Sequence, residues 1–220
     1  MGQKPRKIVP GGVAIQRRRL VFFDMTSTQP TRRDGEATRQ RLLRAALELY
    51  TTVGFRATTT PAIAARAGVA EGTIYRHFSG KEHLLNEVFR AAQRWGTAIV
   101  RETESGDPAP GRLQQIARQL LATASNDAAT TRMLLRQRDE QHLDEQSRES
   151  EREFRSALHT VVAAGGSSGL VRSGPPELWT DVWLALVAFV AERVGAHEWS
   201  PDSVPVTMAL DAAWDAIAAR

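Results

Sequence analysis

The 220-residue chain contains no cysteine, which excludes disulfides, thiolate catalysis and cysteine-ligated zinc and fits a reducing cytoplasm. Long apolar runs are missing as well. The longest candidate, residues 182–191, is too short to cross a bilayer and suits a buried helix. Basic residues near the N-terminus are followed by no continuous apolar segment, which argues against a secretory signal. Lysine is scarce: Lys4, Lys7 and Lys81 are the only three among 29 basic residues. There is no nucleophile–base pairing and no metal-ligand spacing. His142, His159 and His197 are scattered, His77 has no ligand partner at helical spacing, and Asp144 and Glu145 read as a solvated face. The glycines of GGSSG at residues 165–169 follow no strand and precede no lysine, so they make no phosphate cradle and are read as a flexible connection. The expectation is a protein that is no enzyme and needs neither cofactor nor metal.

Hydrophobic residues make up 42% and charged residues 25% of the chain, the proportions of a globular protein with a real core. The formal charge of +4 conceals a partition: residues 1–94 hold 17 Lys and Arg against 7 Asp and Glu, whereas residues 95–220 hold 12 against 18. One half is built to sit near a polyanion and the other is not. Nucleic acid is the first candidate and an anionic membrane surface the second.

Residues 1–35 carry basic clusters among Pro, Gly, Ser and Thr without a sustained period, the composition of a mobile basic arm. From Glu36 the period becomes helical, with Leu42, Ala46, Leu49 and Val53 on one stripe and Gly54 as its stop. Thr58, Thr59 and Thr60 offer N-cap hydroxyls, Pro61 suits a first turn, and Ile63, Ala64 and Ala67 face inward on a short second helix. Gly68 turns the chain, and a third helix runs over residues 71–77 with Ile74 and Phe78 inward. Small residues at the crossing allow two helices to pack closely at a steep angle. Further helices are expected over residues 81–101, around 113–121, around 133–135, and over 143–164, 177–194 and 204–219, with Asn126 and Asp127 breaking one helix or capping the next. The fold class is all-α, with about nine helices in two unequal parts: 36–83 as a helix-turn-helix unit and 84–220 as an effector-binding and dimerisation unit.

Residues 41–85 resemble the DNA-binding domain of the TetR family. The resemblance is carried by Gly54-Phe55, Thr59 and Thr60, Ile63-Ala64, Ala67-Gly68-Val69, then Gly72, Thr73, Ile74, Tyr75, Phe78, Lys81 and Leu84, all without a gap. In helix-turn-helix proteins the recognition helix enters the major groove by its N-terminal residues. Its outer face here is polar. Arg76 is suited to read guanine by a bidentate contact, and Glu71 to accept from a cytosine amino group. Gly72 leaves room for close approach, while Thr73, Tyr75, His77 and Lys81 suit phosphates, as do Thr59 and Thr60 at a helix start. The resemblance implies the same roles for Thr59, Thr60, Gly72, Thr73, Tyr75, His77 and Lys81. Two positions depart from the family pattern. Ala70 stands where a capping serine is common, so the third helix should start less firmly. Glu71 stands where a basic or polar residue is usual and repels phosphates.

Beyond residue 85 only the order of helices agrees with that family, whose C-terminal part dimerises and binds a small-molecule inducer. The helix at 177–194 is apolar nearly all round, so with the helix at 204–219 it suits a four-helix homodimer interface. Trp95, Met133, Arg136, Phe154, Trp179 and Trp183 are the candidates for the wall of an effector pocket. The resemblance implies a homodimeric repressor on a palindromic double-stranded DNA operator, released by an effector. The rival readings are an activator of the same kind, or a basic interaction or membrane-surface protein with no specific operator.

Overall fold

The structure, a computed structural model, describes residues 30–103, 108–136 and 140–220. Among these residues it is all-α, with nine α-helices: α1 (Pro30–Thr52), α2 (Thr60–Ala67), α3 (Ile74–His77), α4 (Lys81–Glu102), α5 (Ala109–Asn126), α6 (Ala128–Arg136), α7 (Glu145–Ser167), α8 (Pro176–Gly195) and α9 (Val204–Asp215). Short 3₁₀ turns precede α3 and α7, at Glu71–Thr73 and Glu140–His142. No described helix is long and apolar enough to cross a membrane. The basic arm expected over residues 1–35 lies outside the described residues as far as residue 29.

Side-chain caps open three of the helices, α2, α6 and α7. Asp127 stands before α6 and accepts from the Thr130 amide and hydroxyl; Asp144 stands before α7 and accepts from the Ser147 amide. Each satisfies a backbone donor that a helix start leaves orphaned. Packing then places the helices. α1 packs on α2, α4 and α6; α4 makes its most extensive contact with α7; α8 lies against α5, α6, α7 and α9. One hydrophobic cluster runs from Leu42 and Phe55 through Val88, Phe89, Met133 and Phe154 to Trp183 and Ile217. A smaller one joins Leu121, Val190, Val194 and Val206. The boundary expected between residues 83 and 84 falls inside α4, a continuous helix that serves both parts.

Four expectations about elements need correction. α1 begins at Pro30, ahead of Glu36, because its first turns carry exposed residues such as Asp34, Glu36 and Ala37 that no apolar stripe announces. Val53 is 57% exposed, since α1 has ended and the chain is already turning into Gly54 (φ +89°). The supposed loop at 165–169 is largely helix, as α7 runs on to Ser167. Gly165 is buried there, and a Cβ on it would meet Val171 Cγ2 at 2.7 Å and Ala109 Cβ at 2.8 Å. α9 stops at Asp215, short of residue 219, because the tail turns back to bridge Val171 through Ala218. There the Arg172 amide donates to Ile217 O and the Ala219 amide to Leu170 O, both at 2.9 Å.

Candidate nucleic-acid interface

Each element of residues 59–78 is held for an identifiable reason. The Thr59 hydroxyl accepts from the Ala62 amide at 3.3 Å, capping α2, and Pro61 lies in its first turn. At the other end Gly68 adopts φ +66°, a left-handed conformation glycine takes without cost. Its amide donates to Ala65 O (3.1 Å) and that of Val69 to Ala64 O (3.0 Å), the paired bonds of a Schellman turn. Ile63, Ala64 and Ala67 are buried, and half-buried Val69 packs on the same core. Ala70 forms no side-chain cap, and the segment that follows opens as a 3₁₀ turn before one α-helical turn at Ile74–His77. Ile74 and Phe78 are buried against the α1–α2–α4 core.

The outer face of this segment is open. Glu71, Gly72, Tyr75 and Arg76 are exposed, Tyr75 by 58%, while Thr73 and His77 are half-buried. Among the described residues the Arg76 guanidinium and Tyr75 hydroxyl have no intramolecular partner, so both are available to a ligand. Thr59 is exposed at the start of α2 and Thr60 half-buried beside it. Arg56, on the turn after α1 and three residues before Thr59, is exposed; it belongs to no helix stripe, which is why the periodic pattern does not single it out. Arg66 is also exposed but is taken by Glu48 at 2.5 Å.

Lys81 sits differently from the expectation of a free phosphate ligand. Its ammonium donates to Phe55 O (3.2 Å) and Thr58 O (3.1 Å) and lies 4.4 Å from the Phe55 ring centroid. The Tyr50 hydroxyl in turn donates to Lys81 O at 2.7 Å, and burial pushes the Tyr50 phenol pKa up. Lys81 therefore holds the α1–α2 turn in place, and with it the start of α2.

Of the six candidates for an effector pocket, five have described side chains, and of these Trp183 lines a cavity. Met133, Phe154 and Trp183 are packed to 3% exposure or less. Phe154 closes on α4 at Gly96, where a Cβ would sit 2.9 Å from its ring. Trp95 and Trp179 are half-buried against the same core, with Trp179 Nε1 turned toward Gly174, and the Arg136 side chain lies outside the described residues. Larger open space is lined by other residues. A polar groove of about 630 Å³ runs between α4, α5 and α7, lined by Val100, Arg101, Arg112, Arg152, Ser156 and Thr160 among others. A cavity of about 150 Å³ between α5, α8 and α9 has Trp183 and Trp214 on its wall.

Comparison with known proteins agrees with this geometry. Residues 42–88 match the family model for bacterial regulatory proteins of the tetR family. The chain is 41% identical over 63 residues, 29% of its length, to the transcriptional regulator SrpR of Pseudomonas putida, covering 30% of that protein. It is 37% identical over 70 residues, 32% of its length, to the transcriptional repressor KstR2 of Mycolicibacterium smegmatis, covering 32% of it. The match thus spans roughly a third of each relative's length. In fold the likeness is wider. A TetR family transcription regulator from Marinobacter aquaeolei superposes with a TM-score of 0.69 at 21% identity, over 86% of this chain and 100% of that one. SmeT, solved as its triclosan complex, superposes with a TM-score of 0.59 at 21% identity, over 83% and 92%.

Proposed function

Since the chain belongs to the tetR family of bacterial regulatory proteins, we propose that it is a transcriptional repressor that binds a palindromic operator as a homodimer and lets go when a small effector binds. The observation that carries this reading is the open polar face of residues 71–77, where Arg76 and Tyr75 have no partner in the fold. A free guanidinium on a helix sized for the major groove reads guanine edges; Thr59, Thr60, Thr73, Tyr75, His77 and Arg56 are placed to hold phosphates, with Gly72 allowing close approach. Glu71 disfavours phosphate at the same helix start and suits a cytosine amino group. Repression follows the likeness to KstR2, a transcriptional repressor, and response to a small molecule follows the likeness to SmeT, which binds triclosan. The α4–α5–α7 groove, rather than the packed aromatics, offers space for such a molecule. α1–α3 would then read DNA while α4–α9 hold effector and partner.

Selection of bound fragments from random DNA tests the reading. The expected product is a palindrome with half-sites about 34–36 Å apart, bound with an affinity that falls steeply with salt. Binding without sequence preference would overturn it in favour of a general polyanion-binding surface.

A further inference from the structure

The aspartates that cap α6 and α7 each do a second thing: they are ion-paired to an arginine, of α1 in one case and of α4 in the other. Asp127 Oδ2 lies 2.8 Å from Arg44 Nη1 on α1. Arg44 Nε donates to Glu48 at 2.8 Å, and Glu48 accepts from Arg66 on the outer face of α2 at 2.5 Å. Asp144 takes Arg90 Nη1 on both carboxylate oxygens, at 3.0 and 2.7 Å. Arg90 reaches Glu87 at 2.6 Å, Glu87 accepts from Arg39 at 2.5 Å, and the Arg39 guanidinium lies 5.2 Å from the ring centroid of Phe78, the residue that ends α3. The two chains have the same order, Asp–Arg–Glu–Arg, alternating in sign with no net formal charge. Each starts at the N-cap of a C-terminal helix. One finishes on the first helix of the helix-turn-helix, the other at the end of its recognition helix.

The second chain is reinforced. Asn86 Oδ1 accepts from the Asp144 amide (2.8 Å) and the Ser147 hydroxyl (2.6 Å), while its Nδ2 donates to His142 O at 2.9 Å. The His142 ring lies 4.4 Å from that of Phe55, with Nδ1 3.1 Å from Glu82. An isolated exposed pair contributes little, but chained partners share the cost of ordering each side chain. We propose that these two chains are the joints that fix the helix-turn-helix relative to α6 and α7. Through them a displacement of either helix end is delivered to α2 and to the end of α3. Asp127, Glu48, Asp144 and Glu87 are positioning residues in this scheme. α7 is also one wall of the groove bearing Arg101, Arg112 and Arg152, so a molecule wedged there presses on the helix that Asp144 caps. That last consequence rests on the effector-released reading; the joints themselves do not.

Asparagine separates cap from charge, because it caps a helix about as well as aspartate. In Asp127→Asn/Asp144→Asn the caps survive and the ion pairs go. The cysteine-free chain accepts nitroxide labels at Arg56→Cys and Ser156→Cys, both exposed positions outside the chains, with unlabelled protein added so that only intrachain distances are read. The expected result is a narrow distance distribution in the parent and a broadened one in the double variant, at unchanged helix content. Operator affinity should fall about threefold for each substitution and about tenfold for both. Glu48→Gln and Asp127→Asn, within one chain, should be non-additive, and Asp127→Asn and Asp144→Asn, in different chains, additive. Arg44→Gln/Arg90→Gln leaves both caps untouched and should reproduce the broadening if an aspartate variant fails to fold. An unchanged distribution in the folded variants, or additivity within a chain, overturns the proposal. Broadening in a protein that binds no specific DNA would overturn the regulator reading and leave the joints standing.

Discussion

The ammonium of Lys81 and the guanidinium of Arg76 are both cations near the candidate DNA surface, but the fold uses only one of them. Lys81 is spent on the carbonyls of Phe55 and Thr58; Phe55 O also holds the Thr58 amide, so Lys81→Ala should lose about 1–3 kcal/mol of stability by stranding the Thr58 carbonyl and weaken DNA binding through a loosened α2 start. Arg76 has no partner to lose, so Arg76→Ala should melt like the parent and change which sequences are selected, by about 1–3 kcal/mol at one base pair. Thermal melts paired with fragment selection check both; a Lys81→Ala protein that melts normally yet binds weakly would mean a direct phosphate contact. Acid sensitivity is also decided at single residues. Burial raises the carboxyl pKa values of Glu48, Glu87 and Asp144, but hydrogen bonds from their arginines outweigh it and hold all three below the ordinary carboxylate range. A depressed folded pKa contributes stability that is complete above the unfolded pKa, about 4, and is lost as pH falls through the folded value. The melting temperature should therefore hold from about pH 7 to about pH 5 and drop below about pH 4. Glu48→Gln should start lower at neutral pH and drop less in acid.

At the scale of the element, what the sequence made legible follows from what each residue reports. Helices with an apolar stripe and a capping residue were readable: α2 begins and ends where Thr59 and Gly68 put it, and Ala70 announced a recognition segment that opens without a side-chain cap. Surface chemistry at Glu71, Tyr75 and Arg76 was readable too, since Ile74 and Phe78 take the inward places of this short segment and leave the others facing out. Tertiary competition was not readable. Lys81 looks free until the carbonyls of a turn 26 and 23 residues earlier come within reach. Aromatics on separate helices look like a pocket wall until Gly96 lets α4, α6 and α7 close over the space. The same effect hid α7's last turns, because glycine in a helix reads as a break unless the neighbour it admits is known. Two substitutions test these statements. Ala70→Ser should restore a cap worth about 1 kcal/mol and slow amide exchange across residues 71–77. Gly165→Ala gains about 1 kcal/mol of helix propensity but drives a methyl into stiff Val171 and Ala109, at a cost of about 1–3 kcal/mol. A net loss of melting temperature is expected, and a gain would show that α5 and the 170–172 segment move aside freely.

For the whole molecule, the surface of α8 and α9 is what is left unexplained by a single copy. Leu178 is 50% exposed, Phe189 49%, Val204 71% and Met208 66%, on two adjacent helices whose opposite sides are buried. Scattered exposed apolar residues are ordinary in a monomer; four large ones on a contiguous pair of helices support the proposed homodimer, with this face as its interface. A two-fold axis through this face would set α8 and α9 against their copies as a four-helix bundle and hold two recognition helices at a fixed separation. Phe189→Asp/Met208→Glu places like charges on both sides of such an axis, where each meets its own copy. Sedimentation should then report a monomer, and the concentration dependence of the melting temperature expected of the parent dimer should vanish. Because one unit cannot span both half-sites, affinity for the palindrome should fall to that for an isolated half-site, while the half-site preference itself is kept. That last pairing separates the interface from a general unfolding, which would abolish half-site preference as well. A variant that stays dimeric and binds the full operator would place the partner on another face.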